Sequence, residues 1–352
     1  MTGPSVTGPS VTGPGVTRTP VPARLADELL EASVLGSFSR LGIEVRSRLL
    51  PEFAAGRPPD LTGRRVIITG ATSGIGLAAA TELARRGAAV HFLARSRSRA
   101  ERARTRIAAA SGSTAVSFGV ADLENQDSVR RFAEEFSAGP GRLDVLIHNA
   151  GAIHSEYRAS AAGLELTVAS QVLAPFTLTR LLLPALRAPR PATAAPARVI
   201  TVSSGGMYTQ RLDPAALLGR PARYSGVQAY ARAKRAQVAL SAEWARRVPA
   251  AEVAFHALHP GWVATPGIAA ALPRFDQLMR PLLRTPEQGA DTLVWLASAD
   301  PAELGSGGFW HDRRRRPTRR VPGTRDVTPD AAARLWDWLA AQPSGAPVRQ
   351  AG

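Results

Sequence analysis

Tyr230 and Lys234 carry side chains that could exchange a proton with a bound molecule. Because they stand four residues apart, a helix would place both on the same face. A phenol with an ordinary pKa of about 10 is a weak base at neutral pH, but a neighbouring ammonium group stabilises the phenolate and lowers that pKa. We therefore interpret the pair as a candidate general acid and base. Tyr224 lacks such a partner, because residue 228 is glutamine.

A glycine-rich segment, TGATSGIG at positions 69–76, stands between a predicted strand and a predicted helix. Its glycines would let the backbone turn sharply and approach a pyrophosphate, while the free N–H groups at the start of the helix point toward the phosphates. The alternative is a tight turn that binds nothing, but a strand before the glycines and a helix after them favour a phosphate-binding turn. The candidate contacts are Gly70, Thr72, Ser73, Gly74, Ile75 and Gly76.

These residues belong to a region, from Arg64 onward, in which predicted strands alternate with predicted helices. The strand segments are RRVIITG, AAVHFLAR, TAVSFGVADL, LDVLIHNAG, RVITVSS and EVAFHALHPG. Such alternation predicts parallel βαβ units with right-handed crossovers. We expect the α/β class, with a Rossmann-type doubly wound parallel sheet and a binding site beyond the carboxyl ends of its strands.

The length of 352 residues suits a single α/β domain of about 250 residues with extensions at both ends. Hydrophobic residues at near-helical spacing predict one amphipathic helix from Ala23 to Leu50, ended by Pro51. A short helix is expected again around Ala331 to Ala341. The expected divisions are a disordered tail of TGPSV-like repeats at 1–22, a helical extension at 23–60, the sheet domain at 61–310 and an Arg- and Pro-rich tail at 311–352.

The net charge of +16 favours anionic partners, and seven arginines stand between His311 and Arg325 against one aspartate. The candidate partners are nucleic acid, an anionic membrane and a phosphorylated cofactor. The segment lacks the interleaved aromatic residues of a stacking surface, so we expect no specific nucleic acid and interpret it as a solvated basic tail. The N-terminal helix could make membrane-surface contact instead of packing against the domain.

The sequence contains no cysteine, which excludes disulfides and thiolate metal sites. It shows no run of about 20 apolar residues that would span a membrane and no basic, apolar secretory signal. We therefore expect a cytoplasmic protein that is at most peripheral to a membrane.

Three motifs occur in the order typical of the short-chain dehydrogenase/reductase family: TGxxxGxG from position 69, NAG from position 149, and YxxxK from position 230. The chain resembles this family from about Gly63 to Phe309. The resemblance implies an oxidoreductase that transfers a hydride between a nicotinamide cofactor and the carbonyl or alcohol carbon of a small-molecule substrate, without a metal.

The resemblance also assigns roles to the candidate catalytic residues. Tyr230 would be the acid or base, and Lys234 would tune it and hold the nicotinamide ribose. Family members use a serine after the fifth strand to hydrogen-bond the substrate oxygen. Alignment on the following glycines favours Ser204 for this role, with Ser203 as the alternative.

In this family the end of the second strand selects the cofactor. An acidic residue there would bind a ribose 2′-hydroxyl and repel a 2′-phosphate, whereas this chain has Ala94 followed by Arg95. Because a guanidinium pairs well with a phosphate, we expect NADP(H) to be preferred over NAD(H), unless Arg95 is only a surface residue. The resemblance adds further cofactor contacts at Asp122, Leu123, Asn149, Ala150, Gly151, Pro260, Gly261, Val263 and Thr265.

Two positions depart from the family pattern. Gln171 stands where family members place an asparagine that supports a proton-relay water, and its amide is one carbon further out. The longer side chain would shift the relay or weaken the activity, which leaves a catalytically weak NADP(H)-binding sensor or scaffold as the alternative function. His148 replaces the first asparagine of the family's NNAG motif, and we interpret both it and His259 as packing residues.

The long spacing between Ser204 and Tyr230 resembles the retinol-dehydrogenase-like branch of the family. That likeness favours a hydrophobic carbonyl or alcohol as substrate. The family resemblance as a whole suggests a dimer or tetramer, unless the N-terminal helix and the Arg-rich tail block the usual surfaces. The residues after Pro260 would form an apolar lid, although they could equally face the core or a partner. The lid candidates are Leu272, Phe275, Leu278, Met279, Leu282 and Leu283.

Overall fold

The computed structural model describes residues 20–54, 59–139, 141–190, 195–320 and 329–342. Within them, eight strands form one sheet: β1 (Arg65–Thr69), β2 (Ala89–Ala94), β3 (Val116–Val120), β4 (Val145–His148), β5 (Ala197–Val202), β6 (Val253–Leu258), β7 (Gly308–His311) and β8 (Arg314–Arg315). Their order across the sheet is β3-β2-β1-β4-β5-β6-β7-β8. Strands β1 to β7 pair in parallel, and β8 pairs antiparallel to β7. The predicted α/β class and doubly wound sheet are confirmed.

The described residues also form sixteen α-helical segments. They are α1 (Val21–Ala32), α2 (Val34–Phe38), α3 (Arg40–Leu49), α4 (Pro51–Ala54), α5 (Gly74–Arg85), α6 (Arg97–Ser111), α7 (Gln126–Ser137), α8 (Leu166–Val168), α9 (Ala174–Arg187), α10 (Pro214–Leu218), α11 (Gly226–Arg247), α12 (Pro266–Ala271), α13 (Pro273–Met279), α14 (Pro286–Ser298), α15 (Pro301–Leu304) and α16 (Pro329–Ala340). A π-helical turn at Ala169–Leu173 joins α8 to α9.

Helices cover both faces of the sheet. On one face α5, α6 and α14 pack over a core that includes Ile68 and Phe92. On the other face α7, α9 and α11 pack over a core that includes Leu146 and Phe255. Every residue of β4, β5 and β6 is buried, as expected for central strands of a parallel sheet covered on both sides. The strand order reverses between β1 and β4, and a crevice forms at such a switch point.

Three successive helices, α1 to α3, occupy the part of the N-terminal extension up to Leu50, so the prediction of a single helix from Ala23 to Leu50 is wrong. Ser33 has an extended backbone that ends α1, and its side chain accepts a hydrogen bond from the N–H of Gly36 at 3.0 Å to begin α2. Ser39 is extended in the same way and separates α2 from α3. Extended backbone at these two serines thus breaks the helical periodicity, and at Ser33 the side chain also competes for a backbone N–H.

Most of the predicted disordered tail, 1–22, lies outside the described residues. Of its last three residues, Val21 and Pro22 already belong to α1. At the other end of the chain, the short helix expected around Ala331 to Ala341 corresponds to α16.

The described part of the arginine-rich segment after β7 is not a solvated tail, which corrects the sequence-based interpretation. Arg314 and Arg316 form ion pairs with Asp27 of α1 at 2.9 and 2.7 Å. Arg313 pairs with Asp291 of α14 at 2.6 Å. All three arginines are partly buried. The basic charge of this segment is therefore matched by acidic groups of the same chain, a pairing that composition alone does not reveal.

One helical run in the described part of the chain, Leu166–Arg187, is long and apolar enough to cross a membrane by length and composition alone. Polar residues such as Thr167 and Gln171 interrupt this segment, so the sequence shows no continuous apolar run there. Its most apolar stretch is 72% buried inside the domain, which is the environment of a core helix.

Candidate active site

A cleft of about 450 Å³ lies beyond the carboxyl ends of the central strands. Every residue that the sequence analysis assigned to catalysis or cofactor binding lines this one cleft: Gly70, Thr72, Ser73, Gly74, Ile75, Gly76, Arg95, Asp122, Leu123, Asn149, Ala150, Gly151, Gln171, Ser204, Tyr230, Lys234, Pro260, Gly261, Val263 and Thr265. The structure thus brings the candidates together, while their individual roles stay predictions. The cleft wall also includes residues that were not singled out from the sequence: Arg99, Ile153, His154, Trp262 and Ile268.

The glycine-rich turn at one end of the cleft is fastened to the end of β4. Asn149 donates hydrogen bonds from Nδ2 to the carbonyl oxygens of Thr69 and Gly70, at 3.0 and 3.1 Å. A Cβ at Gly76 would stand 2.3 Å from the oxygen of Gly70 and 2.4 Å from Asn149 Nδ2, so no larger residue fits there. Helix α5 begins at Gly74, so the free N–H groups of its first turn are available to a ligand bound in the cleft.

Arginines line the cleft at the end of β2, beside Ala94. Arg95 stands 3.5 Å from Glu124 across the opening, with 60% of its side chain exposed. Arg99 also lines the cleft, in the first turn of α6. Arg99 was not among the residues predicted from the sequence, although its place one turn beyond Arg95 at a helix start was a usable signal.

Tyr230 and Lys234 lie on the same face of α11, as their spacing predicts. The Lys234 Nζ is 5.3 Å from the centre of the Tyr230 ring. Burial raises the pKa of the Tyr230 hydroxyl to about 12, while a hydrogen bond with Ser204 acts in the lowering direction. At neutral pH Tyr230 is therefore a protonated phenol, able to donate its proton.

Lys234 is the only lysine in the chain, which has 44 lysine and arginine residues together. Its side chain is 2% exposed, and its Nζ donates a hydrogen bond to the carbonyl oxygen of Val202 at 2.8 Å. Burial lowers the pKa of Lys234 to about 7. Arginine does not release its proton in proteins, so Lys234 differs from every other strongly basic side chain in being able to change charge near neutral pH.

The two serines after β5 have different surroundings. Ser203 is buried, and its hydroxyl donates to the carbonyl oxygen of Lys234 at 3.0 Å, so it fixes α11 to the sheet. Ser204 hydrogen-bonds Tyr230 and accepts a hydrogen bond from the N–H of Gly206 at 3.3 Å. The geometry favours Ser204 over Ser203 as the serine that meets a substrate oxygen beside Tyr230.

Gln171 lies within the π-helical turn, a feature that often occurs at functional sites. Its side-chain Nε2 donates to the carbonyl oxygen of Ala152 at 2.6 Å, whereas its Oε1 is buried with no hydrogen-bond partner among the described residues. A Cβ built on Gly151 would lie 3.1 Å from that oxygen and 3.3 Å from Lys234 Nζ. The amide oxygen and the amino group therefore both lie close to Gly151, where a Cβ would stand.

Three residues that the sequence analysis set aside lie outside the cleft wall. His148 contacts the Thr179 hydroxyl at 2.8 Å, and burial lowers its pKa to about 3. His259 is buried, and burial holds its pKa well below the usual range. Tyr224 donates to Glu165 at 2.8 Å. These contacts agree with packing roles for the two histidines.

Aromatic side chains form an apolar part of the cleft wall. Phe275 packs edge-on against Trp262, with ring centres 5.4 Å apart, and both line the cleft. Of the six lid candidates, Phe275 alone lines this cleft in the described structure, whereas Leu283 is buried in the domain and Leu278 is 79% exposed. The expected six-residue lid is thus reduced to a shorter apolar wall, because α13 directs part of its apolar surface to solvent.

Comparison of the sequence with those of known proteins identifies relatives of this chain. A family model described as short chain dehydrogenase matches residues 64–273. The chain is 38% identical to dehydrogenase/reductase SDR family member 12 of Bos taurus over 289 residues, which cover 82% of this chain and 88% of that protein. It is 34% identical to retinol dehydrogenase 11 of Mus musculus, over 72% of this chain and 79% of that protein.

Solved structures share the fold. A crystal structure of an uncharacterized protein from Mycobacterium paratuberculosis is 31% identical with a TM-score of 0.62, and the match covers 80% of this chain and 94% of that one. The NADP active-site complex of Pseudomonas aeruginosa RhlG is 25% identical with a TM-score of 0.58, over 72% of this chain and 96% of that one.

Proposed function

The chain belongs to the short-chain dehydrogenase/reductase family, and we propose that it is an NADP(H)-preferring member that interconverts a hydrophobic carbonyl compound and its alcohol. As a member of this family it is an oxidoreductase that acts on CH–OH or C=O groups. The proposal rests on one observation above all. Ser204, Tyr230 and Lys234 line the same cleft as a glycine-rich turn suited to phosphates.

The residues of the cleft fit a nicotinamide dinucleotide. The positive backbone φ of 73° at Gly70, and the lack of room for a Cβ at Gly76, leave a tight turn with exposed N–H groups for a pyrophosphate. Asp122 and Leu123 would contact the adenine, and the segment from Pro260 to Thr265 would contact the nicotinamide. When bound, the cofactor supplies or accepts the hydride.

The side chains of this chain would move the proton. Ser204 would hydrogen-bond the substrate oxygen, and Tyr230 would donate a proton to that oxygen in carbonyl reduction or take one from the alcohol in oxidation. A charged Lys234 would stabilise the phenolate form of Tyr230, and an anionic cofactor in the cleft would raise the pKa of Lys234 and keep it charged. The unpartnered Oε1 of Gln171 would accept a hydrogen bond from a relay water in place of the family's asparagine.

The preference for NADP(H) over NAD(H) rests on Arg95 and Arg99. Both line the cleft beside Ala94, where an NAD-specific member would carry an acidic residue. Two guanidinium groups could hold a 2′-phosphate through charge-assisted hydrogen bonds. Arg95 also pairs with Glu124 at 3.5 Å, and a bound 2′-phosphate would weaken that ion pair.

Replacing both arginines should change cofactor selection. We expect Arg95→Ala combined with Arg99→Ala to weaken NADPH binding about 10- to 100-fold, the loss of one or two hydrogen bonds to a charged group. NADH binding should change less than about twofold, because NADH has no 2′-phosphate. Fluorescence titration with both cofactors measures the effect. Arg102→Ala, an exposed position on the same helix, is the control; equal losses for both cofactors would contradict the assignment.

The hydrophobic substrate class is inferred from the apolar part of the cleft wall. Ile153, Trp262, Ile268 and Phe275 line the cleft, and an apolar wall favours an apolar ligand. The likeness to retinol dehydrogenase 11, named for an apolar alcohol, supports the same class.

A panel assay tests the function. Oxidation of NADPH is followed with hydrophobic aldehydes and ketones and with small polar carbonyl compounds of matched reactivity. We expect turnover that is faster with the hydrophobic members and slower with NADH. Turnover confined to the polar members would contradict the substrate class. Tight NADPH binding without turnover would instead favour the catalytically weak sensor or scaffold.

Contact with a membrane surface through α1 is the localisation that we propose. Val21, Leu25 and Leu29 recur every four residues on one side of this helix and are 71%, 54% and 74% exposed. An exposed apolar stripe on a protein of net charge +16 suits an anionic lipid surface. We expect co-sedimentation with anionic vesicles that weakens with salt and falls at least about threefold when Leu25 and Leu29 are both replaced by serine. Equal sedimentation of wild type and the double variant would contradict this contact.

A further inference from the structure

The segment that follows β6 lines the nicotinamide end of the cleft, and it is held from behind by the N-terminal extension. The N–H of Trp262 donates to the carbonyl oxygen of Phe38 at 2.7 Å. Arg284 lies alongside the same segment, because its N–H donates to the carbonyl oxygen of Trp262 at 2.7 Å and its own carbonyl oxygen accepts from Ala264 at 2.9 Å. The backbone of the cleft wall is therefore placed between Phe38 and Arg284.

The guanidinium of Arg284 connects three parts of the chain. It donates to the carbonyl oxygens of Ser37 and Ser39 at 2.8 and 3.1 Å, and to that of Pro260 at 3.3 Å. It also forms a bidentate pair with Asp312, at 2.5 and 2.9 Å. Gly261, with φ of 83°, leaves the space for this group, since a Cβ there would lie 2.2 Å from Arg284 Nε.

A second buried arginine completes the connection. Arg46 of α3 is 1% exposed and pairs with Asp312 and Asp27 at 2.7 Å each. Burial alone would raise the pKa of Asp312, but His311, Arg284 and Arg46 hold it well below the usual range. The carboxylate thus stays charged between two guanidinium groups, and removing Asp312 would leave the buried guanidinium of Arg284 without its carboxylate partner.

The ring of Phe38 reaches the other side of the active site. It packs edge-on against His259 and Trp262, with ring centres 4.3 and 6.0 Å apart. A Cβ at Gly205, the residue after Ser204, would lie 2.8 Å from the Phe38 ring. Phe38 therefore supports both the loop that carries the candidate catalytic serine and the segment that lines the nicotinamide end.

We infer that the N-terminal extension is part of the catalytic unit, and that Phe38, Arg284 and Asp312 are positioning residues for the cleft wall from Pro260 to Val263. All three lie outside residues 64–273, the part of the chain that the family model matches. A displacement of about 1 Å at a reacting centre can cost about 100-fold in rate. The inference deepens the proposed function, and the part of its test that measures turnover rests on that function.

Two variants and two controls test the inference in the full-length protein. Phe38→Leu and Arg284→Lys are expected to lower kcat at least about tenfold, with the NADPH dissociation constant changed less than about threefold, because the phosphate and adenine contacts are untouched. Leu35→Ala and Arg48→Lys change exposed side chains on α2 and α3 and should behave as wild type.

Hydrogen exchange of the cofactor-free protein gives a readout that does not depend on turnover. The amides of 261–264 should exchange faster in both variants, whereas those of β1 should not change. Unchanged exchange and unchanged kcat in the folded variants would overturn the inference. Failure of both to fold would also count against it, because the contacts would then serve stability alone. If wild type shows no turnover, the proposed function fails, and the exchange measurement still decides the inference.

Discussion

The Tyr230→Phe variant is expected to lose about 10²- to 10⁴-fold in kcat, the usual contribution of a general acid or base. The change removes one hydroxyl, which hydrogen-bonds Ser204 within the cleft. The dissociation constant of NADPH should stay within about twofold of wild type, because the ring remains in place beside Lys234. Steady-state turnover and cofactor titration measure the two effects separately.

The control is Tyr224→Phe, which removes a tyrosine hydroxyl that donates to Glu165 outside the cleft wall. Its kcat should remain close to that of wild type. A similar loss in both variants would show that general damage, rather than missing proton transfer, explains the result.

The pKa of the Tyr230 hydroxyl predicts how the rates of carbonyl reduction and of alcohol oxidation depend on pH. With the pKa of Tyr230 raised to about 12, the protonated phenol persists as the pH rises through neutrality. Carbonyl reduction, which needs the proton, should therefore stay level over that range, while alcohol oxidation, which needs the phenolate, should increase with pH.

The Lys234→Arg variant should lose about 100-fold or more in kcat/KM, although it keeps a positive charge. The amino group is buried against the carbonyl oxygen of Val202, and a planar guanidinium does not fit the space of a single nitrogen. Arg232→Lys, on the same helix but outside the cleft wall, is the matched control. Full activity in Lys234→Arg would show that any cation suffices at this position.

Because Lys234 is the only lysine, its ionisation can be measured directly. An amine-reactive reagent modifies the neutral amine, so labelling of the Lys234 peptide should rise with pH about a midpoint of about 7 in the cofactor-free protein. Bound NADPH should protect the amine and move the midpoint upward, since an anion stabilises the ammonium form. A midpoint near the ordinary lysine pKa of about 10.4 would contradict the lowered value.

Local pattern was sufficient for β1 to β6 and for most of the cleft, whereas β7 and β8, the other two strands of the described sheet, were not predicted. The six strand segments and the glycine turn are each defined by neighbours in sequence, and the carboxyl ends of parallel strands must meet at one edge. The prediction that Tyr230 and Lys234 share one face of a helix needed only the helical period. These are features that a short stretch of chain specifies by itself.

Contacts between segments that are distant in the sequence could not be predicted from local pattern. Arg46 and Arg284 resemble ordinary surface arginines in the sequence. The residues next to them in the sequence do not indicate that both pair with Asp312. The serines that divide the N-terminal extension were equally ambiguous, because an extended Ser33 and a helical Ser33 satisfy the same hydrophobic spacing. Charge pairing between distant segments depends on the completed fold.

The pair between Arg46 and Asp312 joins residues that lie 266 positions apart, and this has a consequence for biosynthesis. A ribosome adds about 5–20 residues per second, so the N-terminal helices emerge tens of seconds before the carboxylate that they require. Until then Arg46 can pair with Asp27 and Glu31 of the same extension, but its connection to the domain through Asp312 is missing. The cleft wall would be completed only when synthesis is nearly finished, so a chain that ends before Asp312 would carry the motifs of the family without a finished enzyme.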